Sequence, residues 1–369
     1  VATKVFGVTE PLQYTGNSWD TNFYWVQAAW VLALSIAATA IWCGLDRRRL
    51  HYTKLHEWTR VFLRLAIASQ MFEYGMAKVI PVQFPSPSLI TMVTPLGSVS
   101  LQGLLWTFVG ASSVYQILAG VLEIMGGGLL LFGRTTMLGA CITLASMLQV
   151  FAFNMLYDVG VKMVSFHLIL MTLFLLAPEF QRLGDFFLKN RPTRGSTRPQ
   201  MFATSRAKRI ALTAQVIVGL YMLSVYANVT GIYWYEEGGG SSRSPLYGIW
   251  NVEKLSVDGE LRAPVFNDYD RRWRRVIFDE PGTIVFQRTD DSFSRYRVSI
   301  DTNRNAMLLS KGESRSWSSD FTFERLGEDQ LVLEGDMDDF GIRVELRRIR
   351  PDTFQLLNSH FRWVRPSDP

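Results

Sequence analysis

The stretch VFLRLAIASQMFEYGMAKVIPVQF, from Val61 to Phe84, has the length and apolar content of a membrane-spanning helix. It nevertheless carries three charged residues, Arg64, Glu73 and Lys78. A charge at the centre of a bilayer costs about 2.5 to 3.5 kcal/mol on insertion scales, so each charge inside such a segment predicts a partner or a function. The remaining sequence has to supply those partners.

Other parts of the chain have the same apolar character. Five further runs approach or exceed the roughly 20 helical residues that cross a hydrocarbon core. They are residues 23–45, 104–132, 135–153, 161–177 and 209–235. Together with 61–84, these runs predict six transmembrane helices.

Basic residues predict the orientation of these helices. The loops 46–60 and 182–209 are rich in Lys and Arg, and Arg134 follows the third predicted helix. All three positions fall on the same side of a six-pass chain, and the positive-inside rule makes that side cytoplasmic. The N-terminus and everything after Tyr235 are therefore predicted to be extracytoplasmic.

The charge balance differs between the two halves of the chain. Residues 1–244 contain 19 Lys and Arg against 11 Asp and Glu, whereas residues 245–369 contain 19 against 22. This asymmetry indicates two domains in different surroundings.

Cysteine and histidine usage limits the cofactors. Cys43 and Cys141 are the only cysteines and lie far apart, which excludes a CxxC pair, a zinc site and an iron–sulfur cluster within this chain. His167 is the only histidine in a predicted span, so a bis-histidine haem is excluded as well. The sequence predicts no metal or covalent cofactor, and it leaves a quinone or a lipid as the compatible ligand.

Two predicted helices carry polar residues at helical spacing. In the second helix one face holds Arg60, Arg64, Ile67, Met71, Tyr74 and Lys78, and a neighbouring face holds Ala66, Ser69, Glu73 and Ala77. In the third helix one stripe holds Gln116, Gly120, Glu123, Gly127 and Arg134. Both helices thus place a carboxylate among small residues, which favours close helix packing.

Depth along each helix suggests which of these groups meet. At a rise of about 1.5 Å per residue, an outer cluster is expected, and Arg64 is the expected inner partner of Glu123. The members of the outer cluster are Glu73, Lys78, Asp158, Lys162 and His167. Two interpretations remain open: the charges pair to fix the helix register, or they line a polar pocket that binds a quinone head group or relays protons.

Two sequence blocks, LRLAIASQMFEYGMAKVIPVQFP and the continuous run from GVLEIMGGG to LLAPEFQRL, resemble the DoxX family of four-helix membrane proteins. The shared features are an internal Arg and a Tyr-Gly…Lys exit in one helix, a Glu before glycines in the next, and a YDVGVK connection. The resemblance covers about residues 58–190. It implies a bacterial inner-membrane protein associated with redox systems, without the thiosulfate or sulfurtransferase chemistry of some relatives.

From Tyr247 onward, short alternating runs separated by turn residues predict an antiparallel meander of eight or nine strands that closes into a barrel. Gly248 and Trp250 near its start and Arg362 near its end resemble the lipocalin-like pattern, in which a first-strand Trp packs against a late Arg. Such a barrel either holds a small ligand or fills with its own side chains and serves for docking. The exposed arginine run 271–275 suits an anionic lipid or a protein surface; nucleic acid is not expected.

The predicted architecture is thus a six-helix membrane bundle followed by an all-β lipocalin-like barrel. The boundaries are an outer segment 1–22, an extra helix with its basic loop 23–57, the DoxX-like core 58–190, a basic loop and sixth helix 191–235, a linker 236–246 and the barrel 247–369. The predicted function is that of an accessory subunit of a bacterial membrane redox assembly. The chain is not expected to be catalytic by itself; any activity would be that of a quinone-linked oxidoreductase to which it belongs as a subunit. The alternative is a carrier that passes a lipophilic ligand between bundle and barrel, and the expected partners are membrane lipids and other subunits.

Overall fold

The structure is a computed structural model, and it describes residues 20–49, 51–192, 204–264, 272–311, 317–350 and 353–358. The chain divides into two compact units. The helical unit contains the described residues up to Phe84 together with Ser112–Trp234. The barrel unit contains Pro85–Ala111 and the described residues from Tyr235 onward, so a loop between two helices belongs to the barrel by its contacts.

Ten α-helices occur in the described residues. They are α1 (Asn22–Leu45), α2 (Thr53–Val79), α3 (Leu89–Val93), α4 (Leu101–Gly110), α5 (Ser113–Leu131), α6 (Thr136–Leu156), α7 (Lys162–Leu176), α8 (Phe180–Phe187), α9 (Ser205–Glu236) and α10 (Gln355–Asn358). Within the helical unit, α2, α5, α6 and α7 pack against one another around a core that includes Ile67, Met71, Leu130, Met147 and Leu175.

Five apolar helical segments in the described chain are long enough to cross a membrane: Asn22–Leu45, Ser113–Leu131, Thr136–Leu156, Lys162–Phe187 and Ser205–Glu236. The remaining predicted span, 61–84, lies mostly in a 27-residue helix, α2, but its charges lower its mean hydropathy and it does not share this character. The helices confirm a bundle of long apolar helices, while the crossing of α2 remains a prediction.

The predicted third span, 104–132, is wrong as a continuous helix. It breaks at Ala111 and Ser112 into α4 and α5. Ser112 adopts an extended conformation, and its hydroxyl accepts a hydrogen bond from the backbone N–H of Tyr115, so it caps a new helix. A Ser before a helical run is a start signal that the apolar composition of the run concealed.

The barrel unit contains nine strands in the order β2-β1-β3-β4-β5-β6-β7-β8-β9, all antiparallel, and β1 also pairs with β9. Their bounds are β1 (Gly248–Val257), β2 (Glu260–Leu261), β3 (Trp273–Phe278), β4 (Thr283–Arg288), β5 (Phe293–Asp301), β6 (Ala306–Ser310), β7 (Ser318–Arg325), β8 (Gln330–Met337) and β9 (Phe340–Ile349). Eight of them close the barrel, and β2 extends a hairpin from β1. The predicted closed meander is confirmed.

The barrel interior is filled by inward-facing apolar side chains. Alternate residues of each strand point inward, and they form a single core with Trp250, Phe278, Phe286, Leu309 and Val344 among its buried members. The alternating run QLLNSHFRWV, residues 355–364, predicts a last strand, and this prediction is wrong in part. Gln355–Asn358 is helical, and the rest of the run lies outside the described residues.

The loop between α2 and α5 covers part of the barrel's outer surface. Leu89 in α3 packs with Ile249, Ile277 and Val285, which point outward from β1, β3 and β4. Asp279, at the end of β3, accepts a hydrogen bond from the backbone N–H of Leu89 at 2.8 Å. This loop is therefore an integral part of the barrel unit.

Asp279 gives the barrel unit a pH dependence. Its half-buried carboxyl has a raised pKa, mainly because burial disfavours the charge, although N–H groups of α3 oppose this effect. A raised carboxyl pKa contributes stability that is complete below the ordinary value and is lost as pH rises through the folded-state value. We expect the wild type to gain stability relative to Asp279→Asn as pH falls from 7 towards 4. Thermal unfolding of both proteins across that range measures the difference, and a constant or opposite difference would contradict this assignment.

A buried ion pair in the helical unit

Lys78 and Glu123 form an ion pair between α2 and α5. The Nζ atom of Lys78 donates a hydrogen bond to Oε2 of Glu123 at 2.8 Å. Lys78 is 6% exposed and Glu123 is 3% exposed. Two opposite charges removed from solvent at this distance stabilise each other, and each would be costly if the other were lost.

Glycines bring the two helices close enough for this pair. A Cβ atom on Gly120 would lie 2.6 Å from the carbonyl oxygen of Gly75 and 2.8 Å from Cβ of Lys78. A Cβ atom on Gly127 would lie 2.8 Å from Cβ of Met71. All three distances are below any normal contact of a side chain, so only glycine fits at these positions. These contacts also set the register between α2 and α5, which run antiparallel.

The end of this interface nearest Phe84 is polar as well. Gln116, 1% exposed, accepts a hydrogen bond from the backbone N–H of Phe84 and donates one to its carbonyl, both at 3.1 Å. This side-chain amide thus satisfies both backbone groups of Phe84, in the segment that follows α2. The stripe predicted in α5 lies along α2 from Gln116 through Gly120 and Glu123 to Gly127.

Two arginines of α2 contact the C-terminal ends of neighbouring helices. Arg64 donates to the carbonyl of Leu130 at 2.6 Å and to that of Leu131 at 2.5 Å, at the end of α5. Arg60 donates to the carbonyl of Leu175 at 3.2 Å, near the end of α7. The last carbonyls of a helix lack intrahelical partners and carry partial negative charge, which explains why cations bind there.

The expected pairing of Arg64 with Glu123 is therefore wrong. Glu123 pairs with Lys78, and Arg64 binds the carbonyls of Leu130 and Leu131. Depth alone placed Lys78 too far out, because its four-carbon stem extends away from its own Cα position to reach Glu123.

The predicted outer cluster is divided in the structure. Lys162 binds Asp158 at 2.7 Å, and this charge and hydrogen bond lower the pKa of the exposed Asp158 carboxyl. Asp20 accepts hydrogen bonds from the backbone N–H groups of Lys162 and Met163, at the first turn of α7. His167 lies apart from this cluster, and its Nδ1 is 2.7 Å from the carbonyl oxygen of Met163.

Glu73, which is predicted to lie within the membrane, has an exposed side chain in the helical unit. In the described residues its carboxylate accepts one hydrogen bond, from Nε2 of Gln70 on the same helix at 2.9 Å. The same face of α2 is linked to α9, one turn away from Glu73, by a 2.8 Å hydrogen bond between the hydroxyls of Ser69 and Tyr226. Glu73 therefore faces away from Lys78 and has no counter-ion among the described residues.

Trp250 contacts a different arginine from the one predicted. Trp250 on β1 lies directly opposite Arg348 on β9, whose guanidinium carbon is 6.0 Å from the centre of the indole ring. Gly248 has φ +151°, and a Cβ atom there would lie 2.9 Å from Nε of Arg348. The predicted partner, Arg362, lies outside the described residues. A cross-strand Trp–Arg contact also closes the barrel between its first and last strands.

These contacts define what the helical interface does chemically. The groups of the α2–α5 contact satisfy one another, and they hold the two helices in one register. Cys43 and Cys141 are free thiols on different helices, α1 and α6. The interpretation that charges pair to fix the helix register explains the positions of Lys78, Glu123 and Arg64. It does not explain the exposed charge of Glu73.

Asp20 and the role of Arg60 are the functional features that sequence reasoning missed. Asp20 caps a helix that begins 142 residues later, so no local pattern identifies it. The Lys78–Glu123 pair depends on the register in which Gly75 contacts Gly120, and in that register the long Lys78 side chain reaches along the helix to Glu123.

One comparison identifies a relative of known sequence. The "uncharacterized protein YwoB" of Bacillus subtilis (strain 168) is 38% identical over 127 residues, which are 34% of this chain and 79% of that protein. The chain therefore belongs to the same family as YwoB over about a third of its length. No family model matches the chain, and no solved structure matches it.

Proposed function

We propose that this relative of YwoB is an accessory subunit of a bacterial membrane assembly, in which the helical unit binds a partner protein and the barrel lies outside the cytoplasm. The observation that carries the proposal is the exposed carboxylate of Glu73.

The position of Glu73 follows from the packing of α2 on α5. Gly75 contacts Gly120, and Met71 contacts Gly127, so Glu73 lies level with the middle of α5. Since α5 is apolar and long enough to span a membrane, the middle of α5 corresponds to the middle of the hydrocarbon layer. This supports a transmembrane position for α2 and a mid-bilayer position for Glu73.

An exposed carboxylate at that depth needs a donor. Leaving it against lipid tails costs about 2.5 to 3.5 kcal/mol on insertion scales, and its bond to Gln70 does not supply a counter-charge. A basic or hydroxyl-bearing side chain on a helix of a second protein would satisfy it. The small side chains of Ala66 and Ala77 on the same face would allow such a helix to approach closely.

The resemblance of residues 58–190 to DoxX proteins suggests a redox assembly as the partner, with quinone as its membrane-soluble substrate. The packed core of the barrel supports a docking role for that domain, since its interior holds side chains such as Phe278 and Phe286. The same packing disfavours the alternative, a carrier that takes a lipophilic ligand through the barrel. On this proposal the chain itself carries no electrons.

Glu73→Leu tests the proposal. We expect the variant to lose its partner during gentle detergent extraction from the native membrane, while the isolated chain becomes more resistant to unfolding. The second effect has the opposite sign because an uncompensated intramembrane charge has been removed. Tagged wild type and variant are compared by size separation, visible-light spectra and mass spectrometry of stoichiometric components.

Glu57→Leu is the matched control, because Glu57 lies near the start of the same helix and contacts His56 at 3.8 Å. This control should retain the partner. Equal association of both variants, or a wild type that migrates without a stoichiometric partner, would refute the proposal.

A further inference from the structure

The barrel core changes from apolar to polar at one end. The inward row of β4 passes from Ile284 and Phe286, which are fully buried, to Arg288. On the neighbouring strand β5, Ser294 lies opposite Phe286 and Tyr296 lies opposite Ile284. Arg288 and these two side chains of β5 thus add polar groups to one wall of the barrel interior.

A cavity of about 240 Å³ lies at this end. Its described lining includes Trp273, Arg288, Ser294, Tyr296, Met337 and Asp338. The packed core forms its floor, so a ligand would enter one end of the barrel without passing through it.

The polar groups of this cavity are available for a ligand. Among the described residues, the guanidinium of Arg288 and the hydroxyls of Ser294 and Tyr296 make no hydrogen bond or ion pair. Burial raises the pKa of Tyr296, with a further contribution from Asp338, so its hydroxyl stays protonated at neutral pH. Asp338, which also lines the cavity, accepts a hydrogen bond from Nε1 of Trp317 at 2.7 Å, and Arg288 is the cation among the described lining residues.

The wall of the cavity is aromatic. The ring centres of Trp273 and Phe286 are 4.1 Å apart, those of Phe286 and Tyr296 are 5.7 Å apart, and those of Tyr296 and Trp317 are 5.2 Å apart. Of these rings, those of Trp273 and Tyr296 line the cavity, and they offer flat apolar surface beside the Arg288 guanidinium. Ring contacts of this kind favour a planar partner.

We infer that the cavity binds a small carboxylate with a flat apolar body, its carboxylate paired with Arg288 and its body against Trp273 and Tyr296. The planar guanidinium presents two parallel N–H groups that match the two oxygens of a carboxylate. This site is separate from the helical interface and does not depend on the function proposed above.

The test uses the full chain in lipid nanodiscs with two probes. Fluorine NMR follows the binding of 4-fluorobenzoate and of its neutral analogue 4-fluorobenzamide. We expect the benzoate to bind more tightly, and Arg288→Gln to weaken its binding roughly ten- to a hundredfold, the usual effect of losing hydrogen bonds to a charged group. Binding of the amide should change little.

Arg295→Gln is the matched control, because Arg295 lies between Ser294 and Tyr296 on β5 but is exposed on the outer surface. It should leave benzoate binding unchanged. Tyr296→Phe keeps the ring and removes the hydroxyl, so it should weaken binding to a lesser extent than Arg288→Gln. Thermal unfolding of each variant verifies that the barrel is intact. Equal affinity for the two probes, equal losses in the two arginine variants, or no binding of benzoate would overturn the inference.

Discussion

Lys78→Met should lower the free energy of unfolding of the helical unit by about 3 to 5 kcal/mol, the usual cost of removing one partner from a buried ion pair. The reason is that Glu123, 3% exposed, would remain charged or would have to take up a proton in a site built around an ammonium group. Unfolding in increasing concentrations of a denaturing detergent, monitored by circular dichroism, measures the loss of stability.

The double variant Lys78→Met, Glu123→Leu separates the cost of an unpaired charge from the worth of the pair. Replacing both partners by apolar residues of similar volume is often neutral or stabilising in proteins. We therefore expect the double variant to regain most of the stability that Lys78→Met loses. It should also retain the proposed partner, because Glu73 is unchanged. A single variant as stable as the wild type would show that the pair does not hold α2 to α5.

The barrel was largely predictable because its signals are local. The run GIWNVEKLSV, residues 248–257, mixes apolar and polar residues as a half-buried strand does, which predicts a strand there. Strand β1 has these same bounds. Turn residues separate the other strands, and closure follows from their number and antiparallel order. The helical end at Gln355–Asn358 was not predictable from alternation over so few residues.

The helical site was predictable only in part, for a geometric reason. The spacing of Gln116, Gly120 and Glu123 identifies one face of α5, but it does not say which residue of α2 lies opposite. That choice depends on the backbone contact of Gly75 with Gly120, which sets the register of the two helices.

The position of Glu73 illustrates the same limit. Its depth in α2 can be read from the sequence, but its direction depends on which faces of α2 are taken by α5 and α7. Those helices cover the faces that contain Ile67, Met71 and Lys78. Ser69 on the same face as Glu73 contacts Tyr226 of α9, but the Glu73 side chain itself remains exposed. This exposure distinguishes Glu73 from the charged groups that organise the chain.

Gly120→Leu should destabilise the helical unit by about 3 kcal/mol or more, at the upper end of the usual cost of overpacking. Even the first carbon of the new side chain would lie 2.6 Å from the carbonyl oxygen of Gly75 and 2.8 Å from Cβ of Lys78. The backbone of α2 cannot retreat without separating Lys78 from Glu123. The variant therefore combines a steric cost with the partial loss of the ion pair.

Gly128→Leu is the appropriate control, because Gly128 lies on the same helix and a Cβ atom there would meet no atom within 4 Å. The same substitution at this position should leave the free energy of unfolding within about 0.5 kcal/mol of the wild type, as is usual for surface sites. Both variants are compared by the detergent titration used for Lys78→Met. Equal losses at the two positions would mean that glycine is required in α5 for a reason other than its contact with α2. A loss confined to Gly120 would assign the register of the bundle to the Gly75–Gly120 contact, with the ion pair depending on it.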